Sequence, residues 1–477
     1  MVILNWCILS ILYCLLVYLW SIEGKSVNID DCYNSTRDFY PYLASRTPYE
    51  FVHGEIERVA GCTPLQIWMT ARHGTRYPDK LSKQHMLDLE SFRDQIVANH
   101  QHGRGQLCPK DLTDLRLWQP DPNFYEKNGT LGEAGKNELH LLAKRLEDAF
   151  PEILDSNDPT DYNFAASKRA SATSSLLSFA NALLDTNATV NFDGEKLKED
   201  QDCDRWKKEY KHEVQMTEYR RFATGPVMHR TLNEVSQRLG FTEKVGFDIV
   251  SVMYDVCRFE TALDAGKISK WCTVFSKENL MVFEYLSDLD YYYCCGPGNT
   301  LSRKLNCNIL KKLFKAFEQL ENRNIENQPK GTFNFGHSSN IQSVMTLLKV
   351  FDHEQPLLAS NYESMKSRLY NTTFMNAFTS NIVAVFYRCD NITMPNQVQF
   401  HIAENPVEIP GCEGPSCDWD YLKREFQPML DQCDANFCDV MQNDTTTSAS
   451  DTFINRHIGN PLPIIFITFS FYTYIFE

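Results

Sequence analysis

Ala71-Arg72-His73-Gly74-Thr75-Arg76-Tyr77-Pro78 decides how the rest of the chain is read. An apolar run, Leu65-Gln66-Ile67-Trp68-Met69, precedes it and predicts a short buried strand. Two arginines and a histidine therefore arrive at the strand's C-terminal end, the edge where open α/β sheets bind ligands. Guanidinium forks match phosphate oxygens. An imidazole between two of them is placed to attack a phosphorus that they hold. A lone Arg-His pair would read as a basic surface loop; the longer run after a strand argues for a site.

Two further stretches repeat the pattern of a strand delivering a polar residue. Asp161-Tyr162-Asn163-Phe164-Ala165-Ala166 predicts a strand that feeds Ser167-Lys168-Arg169 and a helix to Leu184. Gly331-Thr332-Phe333-Asn334-Phe335 predicts a strand followed by Gly336-His337 and a helix from Ile341 to Phe351. Around these lie a helix from Lys83 to Asn99, a Gly/Pro/Asp-rich loop through His102 to Asn123, and a helix from Lys136 to Phe150 opened by Leu131-Gly132-Glu133-Ala134-Gly135. Asn381 to Tyr387 predicts another strand, and Gln397 to Ile402 alternates like an edge strand. From Asn187 to Ile325 the pattern is mainly helical; Leu310, Leu313, Phe314, Phe317 and Leu320 form a core-facing stripe. Its basic clusters, Lys207/Lys208, Arg220/Arg221 and Arg303/Lys304, read as a solvated face or as the lining of a polyanion pocket.

The chain has 477 residues, 43% hydrophobic and 23% charged, with a net charge of -15. That composition suits a folded protein. Its acidity argues against nucleic acid as a partner, so an anion site must be a local basic pocket. Residues 1–24 read as a secretory signal peptide, with an uncleaved anchor as the alternative. Ser448-Ala449-Ser450, a polar spacer and the apolar tail Pro461 to Phe476 have the order of a GPI-attachment signal within 441–477, which predicts a lipid anchor to the membrane; a tail that spans or simply packs is the alternative.

There are 16 cysteines, of which Cys7 and Cys14 fall in the leader; the even remainder suits disulfides in an oxidising compartment. Cys412/Cys417 and Cys433/Cys438 are expected to close small local loops; a zinc site is disfavoured because no histidine lies among them. Sequons at Asn34, Asn128, Asn187, Asn371, Asn391 and Asn443 predict a glycoprotein and mark surface loops.

With these motifs assembled, the sequence resembles the histidine acid phosphatases and, within them, the multiple inositol polyphosphate phosphatases, over roughly Ile67 to Cys438. Arg72-His73-Gly74-Thr75-Arg76 with Pro78 is the specific part. Leu131 to Gly135 with Glu138-Leu139, Ser167-Lys168-Arg169, Tyr254-Asp255-Val256-Cys257, Trp271-Cys272 and Phe283-Glu284-Tyr285 are also similar. The resemblance implies an α/β fold: a histidine-phosphatase-like sheet flanked by helices with an inserted, mainly helical cap domain. It places the phosphatase domain at 25–186 and 326–440 and the cap at 187–325.

It also implies a secretory-pathway or cell-surface phosphomonoesterase acting on inositol polyphosphates, with no metal and no cofactor. His73 would form a phosphohistidine, and Arg72, Arg76, Arg169 and His337 would bind the phosphoryl oxygens. The family carries His-Ala-Glu at its second signature, the Glu protonating the leaving oxygen. Here His337-Ser338-Ser339 puts Ser339 at the proton-donor position. A lost general acid costs about 10²–10⁴-fold, so the alternative is a pseudophosphatase that binds phosphorylated ligands. His401-Ile402-Ala403-Glu404 mimics the missing motif and is read as a decoy, because it lies on an alternating strand rather than at a strand-to-helix turn.

Overall fold

Strand β1, Cys62–Arg72, runs through the middle of a seven-stranded sheet and is buried at every position from Gln66 onward. The computed structural model describes residues 42–79, 81, 83–185, 203, 205–206, 217–264, 267–321, 328–351, 355–390, 393–434 and 437–438. The leader at 1–24 and the tail at 441–477 lie outside them.

β2 (Tyr162–Ala166) and β3 (Gly331–Gly336) run parallel to β1, while β4 (Asn381–Cys389), β5 (Asn396–Ile402), β6 (Asn405–Val407) and β7 (Ser416–Asp418) are antiparallel additions on the other side. Ala71 pairs with Phe335 and Phe335 with Ala166, so the three parallel strands end at one level. That shared edge is the physical reason residues 72–76, 167–169 and 337–339 meet.

Helices are numbered from seven residues upward: α1 (Lys83–Gln101), α2 (Pro109–Arg116), α3 (Glu133–Ala149), α4 (Ala170–Leu183), α5 (Thr217–Ala223), α6 (Pro226–Arg238), α7 (Phe247–Leu263), α8 (Lys277–Cys294), α9 (Cys307–Glu321), α10 (Ser338–Leu347) and α11 (Trp419–Asp431). The period-two alternation of the strands divides their side chains between two cores. Ile67, Met69 and Ala71 pack with Phe333 and Phe335 under α3 and α4, through Leu139, Leu142, Leu146, Leu176 and Phe179. Trp68, Ile382, Ala384 and Phe386 face the larger core, built with α7 to α10. Each fully buried apolar side chain there contributes about 1.5–3 kcal/mol. Between β2 and β3 the numbered elements are all helices, as the apolar stripe of α9 predicts.

Three local expectations are corrected. Pro109 at the first turn starts α2 inside the stretch read as a loop, since proline suits that position. β5 is not an edge strand: the short strands β6 and β7 cover it, and Val398 to Ile402 are all buried. Cys433 and Cys438 do not pair with each other. They reach Cys307 and Cys203 across the fold, whereas Cys412–Cys417 closes its local loop as expected. Cys62–Cys389 and Cys257–Cys272 add two more bridges.

Arg220, Arg221, Arg303 and Lys304 are exposed, and Arg221 is paired with Glu218. Lys207 and Lys208 lie outside the described residues. Of the sequon asparagines, Asn128 is exposed. Asn371 is half-buried, its side-chain oxygen accepting from the backbone of Thr373 and Phe374. Asn34, Asn187, Asn391 and Asn443 lie outside the described residues. Among the described residues no helix is long and apolar enough to cross a membrane.

Candidate active site

The loop after β1 is tied down on both sides before any ligand is considered. Arg72 N donates to the carbonyl of Ser380, His73 N to Gly336, and Thr379 N to the carbonyl of His73. Glu138, buried on α3, accepts from the backbone N–H of Thr75 at 2.9 Å and from the hydroxyls of Thr75 and Thr379 at 2.7 and 2.8 Å. Burial pushes its carboxyl pKa up, against these hydrogen bonds. A Cβ on Gly74 would fall 2.6 Å from the carbonyl oxygen of Gly135, and one on Gly135 would fall 2.2 Å from that of Thr75. The loop and the start of α3 touch through bare backbone, which is why Gly stands at both positions.

His73 is buried to 1% exposure. Its Nδ1 lies 2.9 Å from the carbonyl of Gly74, which can only accept, so the ring proton sits on Nδ1. Nε2 is then the lone pair, and Arg76 Nε donates to it at 3.3 Å. Burial, followed by the positive charges of Arg76 and Arg72, holds the imidazole well below its ordinary pKa. The ring is neutral and its reactive nitrogen faces guanidinium groups.

Arg72 is fully buried. Its Nη1 is spent on the carbonyls of Ser45 and Asn376, both at 2.5 Å. Nε and Nη2 are buried without a hydrogen-bond partner. Burial drives Arg72 down to about 9, with Tyr291 acting in the opposite direction. A buried cation with two idle donors is costly, and a bound oxyanion removes the cost. Arg76, also held at about 9 by burial, grips Asp79 with both terminal nitrogens at 3.1 and 3.0 Å.

His337 caps α10 directly, one turn earlier than the predicted helix. Its ring lies edge-on to His73 with centroids 5.4 Å apart, and its Nε2 is 3.0 Å from Ser167 Oγ at the end of β2. Ser339 is buried in the first turn of α10. Arg169 stands at the N-cap of α4, 30% exposed, with its guanidinium 3.9 Å from Asp79. Arg72, His73, Arg76 and His337 therefore cluster at the C-terminal edge of the parallel strands, with Arg169 joined to them through Asp79 nearer solvent.

Residues the sequence left unmarked complete the surroundings. Phe378 packs beside His73 and lies under the guanidinium of Arg72 at 4.7 Å. Arg46 stacks on Phe259 at 5.0 Å and on Phe378 at 5.9 Å. Arg258 pairs with Asp255 on α7. Asp79 carries one local signal, its i,i+3 spacing from Arg76; Arg46 and Tyr291 carry none.

Glu404 stands apart. Ala403 and Glu404, at φ 47° and 62°, form the two-residue turn between β5 and β6. The Glu404 carboxylate accepts from Tyr49 at 2.8 Å and from both Nε and Nη2 of Arg145 at 2.7 Å. Glu404→Gln is expected to leave turnover unchanged while lowering stability by about 1–3 kcal/mol, read by urea unfolding beside an activity assay. Lost turnover in a folded variant would put Glu404 in the chemistry.

The family model for the histidine phosphatase superfamily (branch 2) matches residues 66–402. Multiple inositol polyphosphate phosphatase 1 of Drosophila melanogaster is 30% identical over 426 residues, covering 84% of this chain and 88% of its own length. Among solved structures, the phytase from D. castellii superposes with a TM-score of 0.67 at 16% identity, over 91% of this chain and 97% of that one. The multiple inositol polyphosphate phosphatase of Bifidobacterium longum, in complex with inositol hexasulfate, superposes at 0.59 with 11% identity, over 85% and 99%. These two likenesses show the fold. With the family model running from β1 to the end of β5, and the Drosophila relative matching along most of both chains, this chain belongs to branch 2 of the histidine phosphatase superfamily.

Proposed function

We propose that the chain hydrolyses inositol polyphosphates and similar phosphomonoesters through a phosphohistidine at His73. The observation that carries this reading is the pairing of a neutral imidazole, lone pair at Nε2, with a buried Arg72 that keeps two donors idle. In the proposed mechanism a phosphoryl group lies against Arg72 and Arg76, with Arg169 and His337 on its outer oxygens. His73 Nε2 attacks phosphorus, and the arginines neutralise charge as it builds on the equatorial oxygens. Water then attacks the phosphohistidine and releases phosphate. The printed names of the Drosophila and Bifidobacterium proteins support inositol polyphosphates as the substrate class.

Residues 25–186 with 326–440 are taken as the phosphatase domain and 187–325 as its cap. Arg258, which stands on α7 and pairs with Asp255, lies near enough to Arg72 to act on its guanidinium, which supports a cap that contributes to the site. The cross-linking of distant segments by Cys62–Cys389, Cys203–Cys438 and Cys307–Cys433 supports a secretory-pathway location. Surface tethering by a GPI anchor rests on the tail at 441–477.

Ser339 favours a second reading, a phosphatase-derived protein that captures phosphorylated ligands and turns them over poorly. Turnover of inositol hexakisphosphate and of p-nitrophenyl phosphate by the secreted full-length protein separates the two. We expect release of phosphate from both. No turnover of either, with inorganic phosphate still bound, would leave the binding protein.

A further inference from the structure

Glu284 and Asp288 are buried acids that the mechanism above does not use. They stand one turn apart on α8, 1% and 0% exposed, and share Arg368. Arg368 Nη2 donates to Glu284 at 2.8 Å, and its Nε donates to Asp288. Burying such a cluster is costly, and apolar side chains of similar volume are often as stable. Stability alone is therefore a weak reason for its presence, and what each carboxylate holds becomes the better guide.

Each carboxylate turns its second oxygen toward a segment that ends on Arg72. Asp288 Oδ1 accepts from the backbone N–H of Thr372 at 2.8 Å and from its hydroxyl at 2.6 Å. Thr372 opens the one-turn helix Thr372–Met375, and its carbonyl accepts from the N–H of Asn376 at 3.0 Å. The Asn376 carbonyl is one of the two that hold Arg72 Nη1. Glu284 Oε1 accepts from the hydroxyl of Thr373, which in turn accepts from the N–H of Ala44 at 3.0 Å. The next residue, Ser45, supplies the other carbonyl on Nη1. Ala44 and Thr373 are 329 positions apart, so nothing local brings the two carbonyls to one nitrogen.

We propose that Glu284 and Asp288, tied together by Arg368, are positioning residues for Arg72, an assignment that rests on the phosphatase reading above. They fix where the Ser45 and Asn376 carbonyls meet, and so aim Nε and Nη2 of Arg72 at the phosphoryl oxygens. Both act through Arg72 rather than on the substrate. A displacement of about 1 Å at such a group costs about 10²-fold in rate.

The test is a double-mutant cycle on the full-length protein, with Asp288→Asn, Arg72→Lys and the two together. An amide offers one acceptor oxygen where Asp288 uses two. Asp288→Asn alone should lower kcat/KM on p-nitrophenyl phosphate, and affinity for inorganic phosphate, by about 10–100-fold. In the Arg72→Lys background the further loss should be under about 2-fold, as for residues that act as a unit. Equal losses in both backgrounds, or none in the first, overturn the assignment, because a purely structural carboxylate is indifferent to residue 72. Thr372→Val is the milder probe if Asp288→Asn does not fold: it removes only the hydroxyl and keeps the backbone bond. It should weaken phosphate binding by about 3–10-fold, again only with Arg72 intact; unchanged phosphate binding overturns the proposal. Phosphate affinity is read from thermal unfolding with and without phosphate, so the cycle does not depend on turnover. Wild-type protein that gains stability from phosphate but releases no nitrophenolate refutes the phosphatase reading alone. Wild-type release with additive losses refutes only the positioning, and neither gain nor release refutes both.

Discussion

His73→Ala is expected to abolish turnover of alkyl and aryl esters alike, with first-turnover release falling by about 10⁴-fold or more. The effect should not depend on the leaving group, because the missing atom is the nucleophile rather than the acid. Rapid acid-free quenching should trap phosphorus on the wild-type protein and none on the variant. Near-wild-type turnover by the alanine protein would rule out a covalent intermediate and make water the direct attacker.

The same histidine carries a pH expectation. Burial and two guanidinium groups depress its pKa, so Nε2 keeps its lone pair on the acid side of 6.5, where an ordinary imidazole has taken a proton. Nitrogen NMR of His73 should show a neutral ring below that pH. Folding stability should fall as pH drops below 6.5, since the unfolded chain binds a proton that the folded site refuses. A ring that titrates at or above 6.5 would contradict this account.

Arg72→Lys is expected to lower kcat/KM by about 10²–10³-fold and to weaken inhibition by inorganic phosphate. Arg72 divides its donors: Nη1 holds two main-chain carbonyls, and Nε and Nη2 remain for the ligand. A lysine carries one nitrogen on a flexible stem and cannot serve both tasks. Thermal unfolding measured with and without phosphate separates the roles. Loss of the carbonyl contacts lowers stability in both conditions, whereas loss of the ligand contacts removes the gain that phosphate provides. Unaltered phosphate inhibition in the lysine protein would remove Arg72 from the binding site.

The strand before His73, the parallel partners β2 and β3, and the residues at their ends were legible because each depends on a short-range pattern. Apolar runs give the strands, and polar residues at their C-terminal ends give the site. Helix starts were less legible. His337 takes the cap position itself, and the proline that reads as a breaker at position 109 opens α2. The Cys433 and Cys438 partners could not be inferred from spacing, since bridges to Cys307 and Cys203 exist only once distant helices are packed. Arg46 and Tyr291 were invisible for the same reason: nothing near either in sequence distinguishes it from a packing residue. Ser339 lies buried in the first turn of α10.

The two carbonyls that hold Arg72 belong to residues 27 and 304 positions away along the chain. The carboxylate of Glu138 likewise joins partners 63 and 241 positions away. Contacts of such separation form late, because closing long loops costs entropy before the contacts return anything. A ribosome that has made the chain only as far as α10 has already supplied His73, Arg76, Arg169 and His337, but not Asn376 or Thr379. The phosphate pocket is therefore a property of the finished chain. A protein truncated after α10 would keep every signature motif and still lack Asn376 and Thr379.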